Sequence, residues 1–316
     1  MAVLSKALVC FLLSFPCAVA SWANDSTRRH VEGIAAAIER NYFDVGKGRE
    51  IAAGLRVAAG RGEFDAQTDP KALAATLTQR LRPLDRHFTV RWEGETAGPM
   101  RRAPVHRTPE AGASGLSRAE MLPGGIGYLA LREFDDFDFD DRDAPARKAM
   151  DSALQRLSGT RAMIIDLRGN HGGAPSMVGY LASAFVAPGA DVYNVFHTRT
   201  ERFSEAPASP YPQPRPDVPL YVLVDNGTAS AAEAFAYTLK HAGRATLVGE
   251  KTAGAANPGE RFDAGDGFSV FVATGSPVNP VTDGNWEGKG VEIDVETTSS
   301  AALDVALQRL RKTLAR

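Results

Sequence analysis

Pro219-Leu220-Tyr221-Val222-Leu223-Val224-Asp225-Asn226-Gly227-Thr228-Ala229-Ser230-Ala231-Ala232-Glu233 carries the strongest structural signal in the chain. The apolar run Leu220–Val224 has the length and β-branched content of a buried strand, and Asn226-Gly227 is strong turn chemistry. Helical spacing follows through Phe235 and Leu239 to His241, with Gly243 placed to close the helix. Ser230 then falls at a helix N-terminus, where open N–H groups and the helix dipole favour developing negative charge. Such a serine is suited to be a nucleophile. It is equally suited to be a simple N-cap, and the choice rests on the rest of the chain.

A second junction of the same kind follows the apolar run Met163-Ile164-Ile165. It reads Asp166-Leu167-Arg168-Gly169-Asn170-His171-Gly172-Gly173. A glycine pair between strand and helix lets backbone N–H groups approach a ligand closely. An oxyanion hole needs two converging donors, commonly the N–H after the nucleophile and one from another loop. Ala231 N–H and Gly172 N–H, from the His171–Gly173 turn, meet that need.

Beyond these two junctions, short apolar runs at Gly127–Leu131, Ala162–Leu167, Tyr221–Val224 and Thr246–Val248 alternate with helical segments near Ala144–Leu157, Met177–Phe185 and Ala231–His241. That alternation predicts an α/β domain with a mostly parallel sheet over 125–316. Gly267–Ala273 adds a strand and Ala301–Leu314 a closing amphipathic helix. Residues 24–92 read as a small helical domain: Val31, Ile34 and Ile38 share a face, as do Ile51 and Leu55, and Leu73 and Leu77. Asp69-Pro70 opens the last of these helices, and Phe88–Trp92 alternates like a strand. Residues 93–124, rich in Pro, Gly, Ala and charge, read as a linker. The acidic run Asp135–Asp141 lacks the glycine and glutamate of an EF-hand loop and reads as a solvated lead into a helix.

Residues 1–23 read as a secretory signal. Lys6 supplies the positive end, Ala7–Val19 is largely apolar, and Ala20 or Ala23 follows a small-residue cleavage pattern. The apolar stretch is shorter than the ~20 residues of a spanning helix, so no stable membrane insertion is expected. Both cysteines, Cys10 and Cys17, lie inside this segment, and cleavage would leave a chain without thiols. The expected location is periplasmic or secreted. A formal charge of −2 and few aromatics give no case for nucleic acid. No spacing of metal ligands, phosphate loop or dinucleotide fingerprint is present, so neither metal nor cofactor is implied.

Four ordered motifs resemble the tail-specific (C-terminal processing) serine peptidase family: the Asp166–Gly173 stretch, Gly227–Glu233, Val248-Gly249-Glu250-x-Thr252-x-Gly254, and Trp286–Val295. The helical part, with Asn41-Tyr42-Phe43, Gly62–Asp65 and Asp85-Arg86-His87, is similar to the branch containing interphotoreceptor retinoid-binding protein repeats and tricorn-type peptidases. The family's other branch uses a Ser–Lys dyad, yet the lysine's place reads Gly254-Ala255-Ala256-Asn257 here. Lys251 sits outside that motif position, and 93–124 is too short for the PDZ module of that branch.

The resemblance implies a crotonase/ClpP-like core of repeated strand-strand-helix units and a serine endopeptidase acting on peptide or protein substrates. It implies Ser230 as nucleophile, His87 of the Asp-x-His motif as base, and Glu287 as the carboxylate that holds the imidazole. His171, beside the proposed oxyanion turn, competes with His87. His241 lies on the Ser230 helix, about 16 Å along its axis. Glu292 and Asp294 are alternatives to Glu287, while Glu233 and Glu250 are expected to fix turns. The same resemblance carries a rival: a non-catalytic protein of this fold that binds a hydrophobic ligand or an extended peptide.

Overall fold

A computed structural model describes residues 17–94 and 115–315, which form two compact units. Met1–Pro16, most of the expected signal, His106 and most of the expected linker lie outside the described residues. No described helix is long and apolar enough to cross a membrane.

The first unit is built on α1 (Cys17–Asn41), α2 (Val45–Gly60), α3 (Pro70–Leu81) and β1 (Thr89–Trp92). The periodicity seen in the sequence is what it buries: Val31, Ile34, Ile38, Ile51, Leu55, Leu73 and Leu77 are all at most 5% exposed. Asp69 caps α3 by accepting from Ala72 N–H at 2.9 Å, with Pro70 in the first turn where its missing N–H costs nothing. This unit also takes in the distant segment Phe262–Val270. That segment spans most of a hairpin of β9 (Gly259–Gly265) and β10 (Phe268–Ala273), and β1 pairs with β10 in a sheet of order β1-β10-β9. Asp266 and Gly267 at its tip both hold positive φ, as a tight two-residue hairpin turn demands.

The second unit carries a six-stranded sheet of order β12-β8-β7-β4-β3-β2. Its members are β2 (Leu116–Leu122), β3 (Ile126–Leu131), β4 (Ala162–Asp166), β7 (Leu220–Val224), β8 (Ala245–Gly249) and β12 (Val295–Glu296). Only β2 runs antiparallel to its neighbour. Both faces are covered, which is why β4 and β7 read as unbroken apolar runs. On one face Leu129, Ile165, Val222 and Val224 pack with α4 (Pro145–Arg156), α5 (Pro175–Ser183) and α6 (Ala231–His241). On the other, Tyr128, Ile164, Leu223 and Val248 pack with Ala302, Ala306 and Leu310 of α7 (Ala302–Leu314). A small antiparallel sheet, β11-β5-β6, joins β5 (Val195–Thr198), β6 (Arg202–Ser204) and β11 (Gly275–Val278).

Two sequence expectations change. Leu116–Leu122 falls in the stretch read as linker but forms β2. The acidic run is less solvated than its charge implies, since Phe137 is buried and meets Tyr180 edge-on at 5.5 Å.

Candidate active site

β4 and β7 are neighbours with parallel register from Met163↔Leu220 to Asp166↔Leu223, so their C-terminal ends open side by side. In open parallel sheets this edge is where ligands bind. The turns leaving the two strands are stitched together. Thr228 Oγ1 donates to Leu167 O at 2.9 Å, Gly169 N–H to Asp225 Oδ1 at 2.9 Å, and Ala229 N–H to Asn170 O at 2.9 Å. Below them, Arg168 grips Asp166 through Nε at 2.9 Å and Nη2 at 2.5 Å. Burial alone would raise the Asp166 carboxyl, but the bonds from Arg168 and Tyr128 outweigh it and hold it below its ordinary value.

This frame delivers Ser230 to the N-cap of α6 with φ +53° and ψ −121°, a region non-glycine residues rarely occupy. Ser230 is exposed although the helix behind it, from Ala231 to Leu239, is buried throughout. Gly172 lies directly against it: a Cβ added there would stand 2.8 Å from Ser230 Cβ and 3.0 Å from Ala231 N. With φ +115°, the position admits only glycine. The structure therefore brings Ser230, Ala231 and Gly172 together.

Gly172 N–H cannot be the open oxyanion donor in this arrangement, because it donates to Asn170 Oδ1 at 2.8 Å. Asn170 is itself fixed, fully buried and donating to Leu131 O at 3.1 Å. Among the described residues, the N–H groups of Ala231 and Gly173 have no acceptor. The open N–H of this turn is therefore that of Gly173, one residue along. Sequence reasoning missed this because the engagement depends on which way the Asn170 amide points.

Glu233 ties the serine to the third motif. Its carboxylate is fully buried and accepts from Ser230 N–H at 3.0 Å, Ala255 N–H at 2.8 Å, Gly254 N–H at 2.6 Å and Thr252 Oγ1 at 2.5 Å. Gly254 O in turn accepts from Gly288 N–H at 2.9 Å. Glu287, half-buried beside the buried Trp286, accepts from Ala256 N–H at 2.9 Å and Asn257 N–H at 3.0 Å. The third and fourth motifs thus form one connected backbone cradle running from Ser230 to Glu287. Glu250 accepts from Ser299 N–H and Asp294 from Leu247 N–H, which makes both turn-fixing groups.

His87 belongs to the first unit. Its Nδ1 lies 2.9 Å from Asp85 Oδ1, which also accepts the His87 backbone N–H at 2.9 Å. The two side chains are 15% and 6% exposed. His171 is exposed and makes no hydrogen bond among the described residues, and Lys251 is exposed. On α6, His241 lies against Tyr237 with ring centroids 4.2 Å apart and planes tilted by 54°, and burial lowers its affinity for a proton.

Among the described residues no group of side chains has the composition of a metal site. Residues 125–297 match the profile of peptidase family S41. The chain is 30% identical over 220 residues to carboxyl-terminal-processing peptidase 1 of Arabidopsis thaliana, covering 68% of this chain and 42% of that protein. It thus spans about two fifths of that relative's length. A solved photosystem II D1 C-terminal processing protease superposes with a TM-score of 0.56 at 17% identity, over 87% of this chain and 94% of the other. A lipoprotein from Streptococcus agalactiae does so with 0.60 at 17% identity, over 97% and 100%. These two likenesses speak for the fold. With more than half its length matched by the profile, the chain belongs to peptidase family S41.

Proposed function

We propose that the protein is an exported serine endopeptidase with a crotonase/ClpP-like core that cleaves peptide or protein substrates. The observation that carries this reading is an exposed Ser230 held at positive φ against Gly172, at the head of a buried helix, in a chain of a peptidase family. Backbone strain of this kind concentrates at functional sites, where it aims a nucleophile away from its own helix. Ser230 attacks the carbonyl, His87 takes its proton and returns it to the leaving amine, and Glu287 supplies the negative charge that stabilises the imidazolium. Ala231 and Gly173 N–H groups receive the oxyanion. The Ala231 donor adds the dipole of α6.

Lys251 and His171 have no part in this scheme. A fluorophosphonate probe and quenched casein test it. Labelling and cleavage by the mature chain, both lost in Ser230→Ala with an unchanged melting curve, are the expected result. A folded protein that neither labels nor cleaves would favour the binding-protein reading of the same cleft. Mass spectrometry of the exported form checks processing after Ala20 or Ala23, and an intact Met1 would remove the export reading.

A further inference from the structure

We propose that Asp85 is the positioning residue of His87: it fixes the imidazole as the Nδ1–H tautomer and so leaves Nε2 as the basic atom. This rests on the reading of His87 as the base. The Asp-Arg-His sequence leaves α3 through a tight turn, in which Leu84 and Asp85 N–H groups both reach back to Leu81 O and Phe88 N–H to Asp85 O. A turn of this kind is complete once an Asp oxygen accepts the backbone N–H two residues on, as Oδ1 does at 2.9 Å. Its second bond, to the ring, adds nothing the turn requires.

That second bond has one chemical meaning. An ionised carboxylate only accepts, so Nδ1 must be the protonated nitrogen facing it. Because the same oxygen accepts the residue's own backbone N–H, the ring is locked relative to the main chain. Asp85 is 6% exposed and His87 15%, so water competes weakly for either. The charge on Asp85 then steadies the imidazolium formed when Nε2 takes a proton, as the buried aspartate does in a serine–histidine–aspartate site.

The test uses the mature chain with 15N-labelled histidine, the His87 signals being identified by their loss in His87→Gln. Well above the ordinary histidine range near ~6.5, the expected spectrum is that of the Nδ1–H tautomer. The Nε2–H tautomer, or an even mixture, overturns the proposal whether or not the protein turns over substrate. Kinetics supply the second arm. Asp85→Ser keeps an acceptor for the turn but cannot reach the ring, and should lower kcat about 10²–10⁴-fold with KM within about twofold. Asp85→Asn, whose amide oxygen can accept both bonds, should recover about tenfold over the serine variant. If Ser230→Ala silences the enzyme while Asp85→Ser leaves kcat unchanged, the role of Asp85 falls and the hydrolase reading stands. If the wild type shows no hydrolysis but the Nδ1–H signal is present, the reverse holds.

Discussion

Ser230 stands in a backbone conformation that costs a non-glycine residue about 1–3 kcal/mol, and it persists because Glu233 holds its N–H and Gly172 closes the space beside it. The most sensitive neighbour is Gly172. An alanine there would place its Cβ 2.8 Å from Ser230 Cβ at a φ of +115°, so either the elbow or the turn must move. Gly172→Ala is expected to lower kcat at least about 10²-fold, since displacement of reacting groups by about an ångström has that effect. Fluorophosphonate labelling rates read it directly, and near-normal labelling would show that the contact is dispensable. At this scale the sequence was legible where covalent pattern dictates geometry. Asn226-Gly227 and the Gly172-Gly173 pair put a serine and a donor turn on two junctions. What stayed hidden was the use of individual donors. The Asn170 side chain engages Gly172 N–H, and Asp85 engages the very histidine that its motif announces.

Elements divide along a similar line. β3, β4, β7 and β8 are central and covered on both faces, so their apolar runs identify them. The helices α4, α5, α6 and α7 show the expected spacing and bury what it predicts. β2 escaped because Leu-Ser-Arg-Ala-Glu-Met-Leu is an edge strand, half-exposed or exposed along its whole length, with no clean alternation. β6 is exposed at all three residues and offers no pattern at all. Glu233 shows how one buried side chain can hold several elements together. Glu233→Gln turns one accepting oxygen into an NH2 group and leaves two of its four donors facing another donor. Each orphaned buried donor costs about 1–3 kcal/mol, so a loss of about 2–6 kcal/mol is expected. Urea melts measure it, and kcat should fall with stability because Ser230 N–H is among the four. A Gln variant of wild-type stability would mean that the cradle rearranges without penalty.

Stability of the molecule as a whole carries the signature of a different carboxyl. Glu205 is buried and has no cationic partner among the described residues, and burial pushes it up to about 8, against the opposing bond from Asn194 at 2.8 Å. Asn194 also bonds Thr238 of α6 and Asn279, so the group sits in the polar seam between the small sheet and the Ser230 helix. Its folded value lies above the ordinary 4.5. Between those two values the folded chain keeps a proton that the unfolded chain has released. Stability therefore falls as pH rises from about 4.5 to about 8, by at most about 1.4 kcal/mol per pH unit, and levels off above. Glu205→Gln should flatten that slope and leave the variant more stable than wild type near pH 8 by a few kcal/mol. Denaturant melts at about pH 5 and about pH 8 decide it, and parallel curves for the two proteins would refute it.

The hairpin that closes the first unit has a consequence for synthesis. Among the described strands β1 pairs with β10 alone, and Trp92 Nε1 donates to Asp266 O across 174 residues of sequence. A ribosome making about 5–20 residues per second exposes the helical segment many seconds before the hairpin exists. During that interval β1 is an edge without a neighbour, and the face of α1 around Gly33, which lies against Ala264 O, has no cover. The helical segment therefore completes its packing only once the hairpin has been made, although it comes long before it in the chain.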